Sequence, residues 1–437
     1  MKRTLLIIIA LAAATLTALA APRDERTGKV SYEYTLERDG MMTCHIVKEL
    51  ADSTINVPYN PEYQELLISS QIALPDGGCI ADYIIVSQSG FLPQLDVVIP
   101  LEEKWPISEL SITITIPQDK NLIYSFEGTP TKPKESSADG ARQYKWLFKN
   151  IPAIPQDEGN FRTAALAATT FESQDAALGY VTKQFPKASD LDSSIVAALK
   201  TGGSEISRIE SVDRWLKDHI ELVPSSLESD GYKLRNAASI VRSAYATVEE
   251  YAGLRAALLE AAGVKSTIIA DFGIEGAGLA SLKSIKAEAS SEKKISSVEN
   301  TFSINMEFGK EDLKYGYRVV ELPFAEGAFD GMPYAGFRPA RSRDLLLGGP
   351  VSETYTYTIV LKDGVKVSGL GFIDEEISNK AGFYSCKAGL SGNVLTVVRS
   401  LDIYEGEIRA AEFADFHSLA AAWAAGSRIQ LTTLTAE

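Results

Sequence analysis

The stretch Ser243–Ala270, SAYATVEEYAGLRAALLEAAGVKSTIIA, decides how the rest of the chain is read. From about Glu249 to Ala262 the sequence predicts a helix. Leu254, Leu258 and Leu259 fall on one face and five alanines fill in around them, with only Gly253 against the assignment. Thr247 stands at the N-cap position with Glu250 three residues on, which is the capping-box pattern. Gly263 is placed to stop the helix in a left-handed turn, and Val264–Ala270 then reads as a buried strand rich in β-branched residues.

This loop, helix and strand resemble the core of transglutaminase-like (papain-like) proteins. In that family a Gly-Asp-Cys sequence enters the helix, and an Ala-Gly-Ile/Val ending leads into a strand. The resemblance implies a cysteine at the helix start, made a thiolate by the helix dipole and a neighbouring histidine. Alignment backward from Gly263 puts Val248 at the nucleophile position, with Ala246 and Thr247 where Gly and Asp are usual. The family's histidine is expected on a strand near Phe302–Phe308, where Ser303 stands. Its acid is expected near Tyr317–Pro323, where Glu321 stands. No cysteine occurs between Cys79 and Cys386 and no histidine between His219 and His417, so Cys–His chemistry has no residues to use there.

The rest of the chain falls into place around this core. Residues 1–20 read as a secretory signal: Lys2 and Arg3, an apolar run from Leu5 to Ala14, and Ala18-Leu19-Ala20 as the cleavage site. Residues 21–155 read as an all-β domain. In it, short alternating strands such as Glu109–Ile116 are divided by turns such as Asp39-Gly40 and Asp139-Gly140. This part resembles the β domain of unknown function that precedes the transglutaminase-like core in exported bacterial proteins. Residues 156–350 would hold the degenerate core and residues 351–437 a small C-terminal β domain, with a helix at about Ile408–Ala425 followed by a last strand. The expected fold class is therefore α+β: an N-terminal antiparallel β-sandwich, a central transglutaminase-like α+β core, and a small C-terminal β domain with a terminal helix.

Within the core, Ile151–Ser173 reads as a linker, and helices are expected from Ser189 to Leu199 and from a cap at Ser204 to His219. Gly273–Asn300, dominated by Ser, Ala, Lys and Glu, reads as a surface loop, with a lid beside the groove as the functional alternative. The aromatic loop Glu321–Pro350 offers Tyr334, Phe337 and Arg338 for stacking on a ligand. With Tyr245 and Glu249 beside the helix start, these make up the candidate binding residues.

Composition narrows the function. A formal charge of −15 argues against nucleic acid and anionic membrane surfaces as partners. Beyond the signal no apolar run is long enough to span a bilayer. An oxidising compartment permits a Cys44–Cys79 bridge; otherwise all three cysteines are small buried hydrophobes. No CxxC, HExxH or His/Cys cluster supports a metal site, and no cofactor motif is present. The expectation is a periplasmic or secreted, non-catalytic module that docks a peptide, a glycan or another envelope protein. The alternative is a hydrolase using a carboxylate pair on the same scaffold, drawn from Glu249, Glu250, Asp271, Glu307 and Glu321.

Overall fold

The structure is a computed structural model. It describes residues 27–52, 54–56, 59–75, 77–87, 91–155, 158–199, 203–289, 300–335, 339–368, 374–426 and 428–433. Residues 1–20, read from the sequence as a secretory signal, lie outside the described residues. The chain divides into two compact units, one of residues 1–154 and 163–292, the other of residues 155–162 and 293–437.

The first unit begins with a β-sandwich. Its strands are β1 (Gly28–Leu36), β2 (Met42–Leu50), β3 (Gln64–Ala73), β4 (Cys79–Ser87), β5 (Asp96–Pro100), β6 (Ile107–Pro117), β7 (Ile123–Glu127), β8 (Lys134–Ala138), β9 (Ala141–Ile151) and β10 (Ala165–Thr169). Seven of them form one sheet, ordered β3-β4-β2-β1-β6-β9-β8, and three form another, ordered β5-β10-β7. Alternation sets the faces. Leu110, Ile112, Ile114 and Ile116 are all fully buried, and they share one core with Tyr32, Trp146, Ile99 and Leu166. The sandwich is not wholly antiparallel, because β1 and β6 run parallel. Nor is Ile151–Ser173 only a linker, since β10 is the buried central strand of the smaller sheet.

The Cys44–Cys79 bridge that an oxidising compartment would permit does not form, and both thiols are free and buried. Cys44 pairs with Ile85 and Cys79 with Leu50 across β2 and β4. That separates them by about 20 Å along the ladder, against the Cα spacing of ~4.4–6.8 Å that a disulfide needs.

The same unit continues with α1 (Gln174–Thr182), α2 (Ser193–Leu199), α3 (Glu205–His219), β11 (Glu221–Leu222), α4 (Ala237–Ser243), β12 (Tyr245–Ala246), α5 (Val248–Ala261), β13 (Ser266–Phe272) and β14 (Leu282–Ala289). Ser173 Oγ accepts from Ala176 N–H to start α1, a helix the sequence reading passes over. The helix α5 is central. Leu254, Leu258 and Leu259 are fully buried against α2, α3 and α4, each worth ~1.5–3 kcal/mol. Gly253 has a packing reason, since a Cβ there would stand 2.8 Å from the Phe185 ring. Gly263, at φ +70°, ends the helix as expected, with Val264 N–H returning to Leu259 O at 2.8 Å.

The second unit holds β15 (Asn300–Phe308), β16 (Tyr317–Glu321), α6 (Met332–Ala335), β17 (Leu345–Leu346), β18 (Val351–Leu361), β19 (Lys366–Ser368), β20 (Glu375–Ser378), β21 (Gly382–Ser391), β22 (Val394–Ile403), β23 (Glu407–Ile408), α7 (Phe413–Ala425) and β24 (Arg428–Thr432). Its main sheet is ordered β15-β18-β22-β21-β20, with β16-β24-β19 as a smaller one. Phe413, Phe416, Ala420 and Trp423 on α7 are buried in its core, as their helical spacing predicts. The unit begins before residue 351, because β15 pairs with β18 and β16 with β24.

Candidate functional site

The N-terminus of α5 is built by local rules. Thr247 Oγ1 accepts from Glu250 N–H at 3.4 Å and Glu250 Oε2 accepts from Thr247 N–H at 3.1 Å, so the capping box predicted from the sequence is closed. Just before it, Ala244 at φ +57° ends α4 and turns the chain into β12, which pairs in parallel with β11. Val248 is therefore held as the first residue of α5.

A cleft of ≈ 520 Å³ opens at this point. Val248 and Glu249 form one wall; Ser225, Leu227, Glu228 and Tyr232 form another. The third wall is Leu279, Ala280, Leu282 and Lys283, at the start of β14. From the sequence, Gly273–Asn300 reads as a loop and the strand beside the site is placed at 302–308. In the structure, β14 pairs antiparallel with β13 and packs on α5. Ile285, Ala287 and Ala289 are its buried, alternating face. The residues are helix formers in isolation, and pairing with β13 overrides that preference. Residues 290–299 lie outside the described residues.

Ser303 and Glu321 belong to the second unit, outside the segments that build this cleft. They stand on β15 and β16. The other candidates divide. Glu249 is buried and lines the cleft. Tyr245 is exposed, with the Arg235 guanidinium 4.2 Å over its ring, and does not line the cleft. Tyr334 is packed instead of presented: its ring lies 5.3 Å from Phe416 and stacks on Phe329 at 5.7 Å, holding its loop to α7. Phe337 and Arg338 lie outside the described residues.

The electrostatics of the cleft are acidic. Burial raises the carboxyl of Glu249, against hydrogen bonds from its own N–H and from Thr247. One of its oxygens, Oε2, is buried without a hydrogen-bond partner. Glu228 is raised as well, by the protein packed around its carboxyl, although the residue keeps an exposed side. Glu250 goes the other way. Burial alone would raise it, but the Arg235 side chain and the backbone N–H groups of Arg235 and Thr247 hold it below the usual range.

The residues that a Cys–His mechanism needs are elsewhere. Cys44 and Cys79 sit in the β-sandwich, and Cys386 lies on β21 of the second unit. His45 is engaged by Asp82 at 2.9 Å on the face of β2, and its pKa is raised chiefly by hydrogen bonding to Glu33. His219 ends α3, stacked on Trp215 at 4.7 Å. His417 lies on α7. Among the described residues no group of three His, Cys, Asp or Glu is placed to hold a metal ion, and no helix is long and apolar enough to cross a membrane.

The sequence reading missed two acids, Asp96 and Glu228. Asp96 carries a faint signal, an acid opening the apolar strand DVVIP that turns out to be 5% exposed. Glu228 carries none, because its partners come from distant segments.

A family model described as a domain of unknown function with a solved structure (DUF3858) matches residues 315–432, all within the second unit. No curated protein matches the chain. The fold is similar to a crystal structure described as "a putative protease from Parabacteroides distasonis ATCC 8503", at 22% identity and a TM-score of 0.78, over 93% of this chain and 98% of that one. At that identity the likeness establishes a shared α+β fold, and the chemistry of the cleft has to come from this chain's own residues.

Proposed function

We propose that this chain is an exported, non-catalytic module of transglutaminase-like architecture, and that the cleft beside Val248 docks a peptide, a glycan or a segment of another envelope protein. The observation that carries the reading is the start of α5. Val248 presents an aliphatic side chain where the resemblance puts a thiol, and the lining of the cleft includes neither cysteine nor histidine. The helix's first-turn charge supports it further. The partial positive charge that would favour a thiolate or an oxyanion already faces two carboxylates of the same turn, Glu249 and Glu250. Export rests on the Lys2-Arg3, apolar-run and Ala-Leu-Ala pattern of residues 1–20.

A second reading rests on one observation: Glu228 and Glu249 line the same cleft and both are raised by burial. Such a pair is a candidate for acid–base hydrolysis. Of the other acids named from the sequence, Glu250 is bound to Arg235 and Glu307 to Lys362, and neither Asp271 nor Glu321 lines the cleft.

Incubation with a peptide library and with an oligosaccharide set, followed by mass spectrometry, separates the readings. The docking module returns every probe intact. Product formation that survives Val248→Ala and disappears in Glu228→Gln or Glu249→Gln establishes the carboxylate hydrolase instead.

A further inference from the structure

The two ends of the seven-stranded sheet are finished differently. At one end β8 is short, KESSA, and its Lys134 and Glu135 are charges of the kind that keep an edge in water. At the other end β3 runs for ten residues, QELLISSQIA, with Glu65 as its only charge and no lysine or proline. Among the described residues no strand pairs with its outer side. A bulge between Leu66 and Ile68 interrupts the ladder to β4, and from Ile68 to Ala73 the pairing is regular. Leu67 is 55% and Ile72 58% exposed.

The hairpin fixes which backbone groups are free. Leu74 N–H donates to Gly78 O at 2.7 Å, so that pair and every second pair before it are the hydrogen-bonded ones: Ile72 with Ile80, Ser70 with Asp82, Ile68 with Ile84. The residues between, Ser69, Gln71 and Ala73, turn N–H and C=O away from β4, and all three are exposed. The Gln71 side chain lies on the core face, where it donates to Ile55 O at 2.6 Å and reaches the Tyr83 hydroxyl. Ile68, Ser70 and Ile72 therefore share the opposite face.

Along that face the run is Ile-Ser-Ile in either direction. A second β3 laid antiparallel about Ser70 sets Ile68 against Ile72 and Ser70 against Ser70, and the outward backbone groups of Ser69 meet those of Gln71. Glu65 falls opposite Pro75, so no like charges meet. A chain of net charge −15 repels its copies over most of its surface, and residues 66–75 are an uncharged stretch where two of them can approach. We propose that β3 is a self-association edge: two copies of this chain pair their β3 strands antiparallel about a two-fold axis at Ser70, and one sheet continues through both. This edge lies apart from the cleft beside Val248 and is independent of the function proposed for it.

Sedimentation equilibrium of the protein from micromolar to millimolar concentration tests the assembly, and cysteine cross-linking tests the register. The expected result is a monomer–dimer equilibrium that stops at the dimer, because a two-fold contact closes on itself. Ile72→Lys, a change at a side chain already in water, weakens association at least tenfold with the circular dichroism spectrum unchanged. Ser70→Cys places two thiols in a directly facing pair with Cα atoms ~4.5 Å apart, within reach of a disulfide, and mild oxidation links the copies. Ile72→Cys faces Ile68 of the second copy, about 13 Å along the ladder from its own counterpart, and does not link. The native thiols Cys44, Cys79 and Cys386 are buried, and the parent protein gives their background. A monomer at every concentration overturns the proposal. So do open-ended oligomers, a dimer untouched by Ile72→Lys, or linking of Ile72→Cys as readily as Ser70→Cys.

Discussion

Arg235 holds Glu250 with two nitrogens, Nε at 2.8 Å from Oε1 and Nη2 at 2.6 Å from Oε2, while its own backbone N–H donates to Oε1 at 2.9 Å. The same guanidinium donates to Ser243 Oγ and Tyr245 O, both at 2.9 Å. One cation therefore ties together the segment before α4, the turn after it and the cap of α5. Glu250 is only 3% exposed, so removal of Arg235 leaves its charge buried and unpaired. Arg235→Ala is expected to destabilise the first unit by about 3–5 kcal/mol. Adding Glu250→Gln to it should cost less than the sum of the two single changes. Urea unfolding of the four proteins in the cycle measures both.

The pH dependence of stability has a marker in Asp96. Burial raises its carboxyl from 3.8 to about 7, against the N–H groups of Ala280 and Leu279 and the Thr169 hydroxyl, with Glu228 pushing the same way. The folded state then binds the proton more tightly than the unfolded one. The group's contribution is complete below about pH 4 and is lost as pH rises through about 7. Asp96→Asn removes this titration and keeps an acceptor for Ala280. The variant should be more stable than the parent at pH 8, by up to about 4 kcal/mol, with the advantage gone by about pH 4. Unfolding midpoints at pH 4, 6 and 8 give the comparison.

Val248→Cys restores a sulfur without the means to use it. A thiol at a helix start is ordinarily acidified by the dipole. Here Glu249 adjoins it and Glu228 faces the same cleft, and both disfavour a third negative charge. Alkylation of the new thiol by iodoacetamide at pH 7 should be no faster than that of free cysteine. No peptide cleavage should accompany it.

In the second unit, Arg399 is fully buried on β22 with its guanidinium 4.3 Å over the Trp423 ring and 5.2 Å from Phe324. It donates to the Trp423 carbonyl, and among the described residues no carboxylate pairs with it. A buried charge held mainly by rings is poorly compensated. Arg399→Met, close in volume, should change stability by less than ~1.5 kcal/mol or raise it, whereas Trp423→Ala should cost about 3–5 kcal/mol. Denaturant midpoints rank the two.

How much of this was legible follows the range of the interactions. The caps of α5 at Thr247, Glu250 and Gly263 involve residues a few positions apart, and the sequence reports them directly. The alternation of Glu109–Ile116 and the apolar stripe of α7 are equally local. The strand β14 is not, because Leu282–Ala289 is written in helix formers and becomes a strand only through β13. That single misreading hid the third wall of the cleft, which Leu279–Lys283 supplies. The disulfide failed for the complementary reason: membership of one domain says nothing about register, and register separates Cys44 from Cys79. Asp96 and Glu228 meet only in the folded chain, and no spacing foretells it.

The position of β10 bears on how the protein is made. The smaller sheet of the sandwich is closed by a strand that follows the excursion of residues 155–162 into the second unit. Until residue 169 has emerged from the ribosome, β5 and β7 lack the partner between them, and the apolar interior behind Ile99 stays open to water. Biogenesis therefore contains an interval in which a nearly finished β domain offers two unpaired strand edges to any passing chain, and a chaperone acting then would guard that gap first.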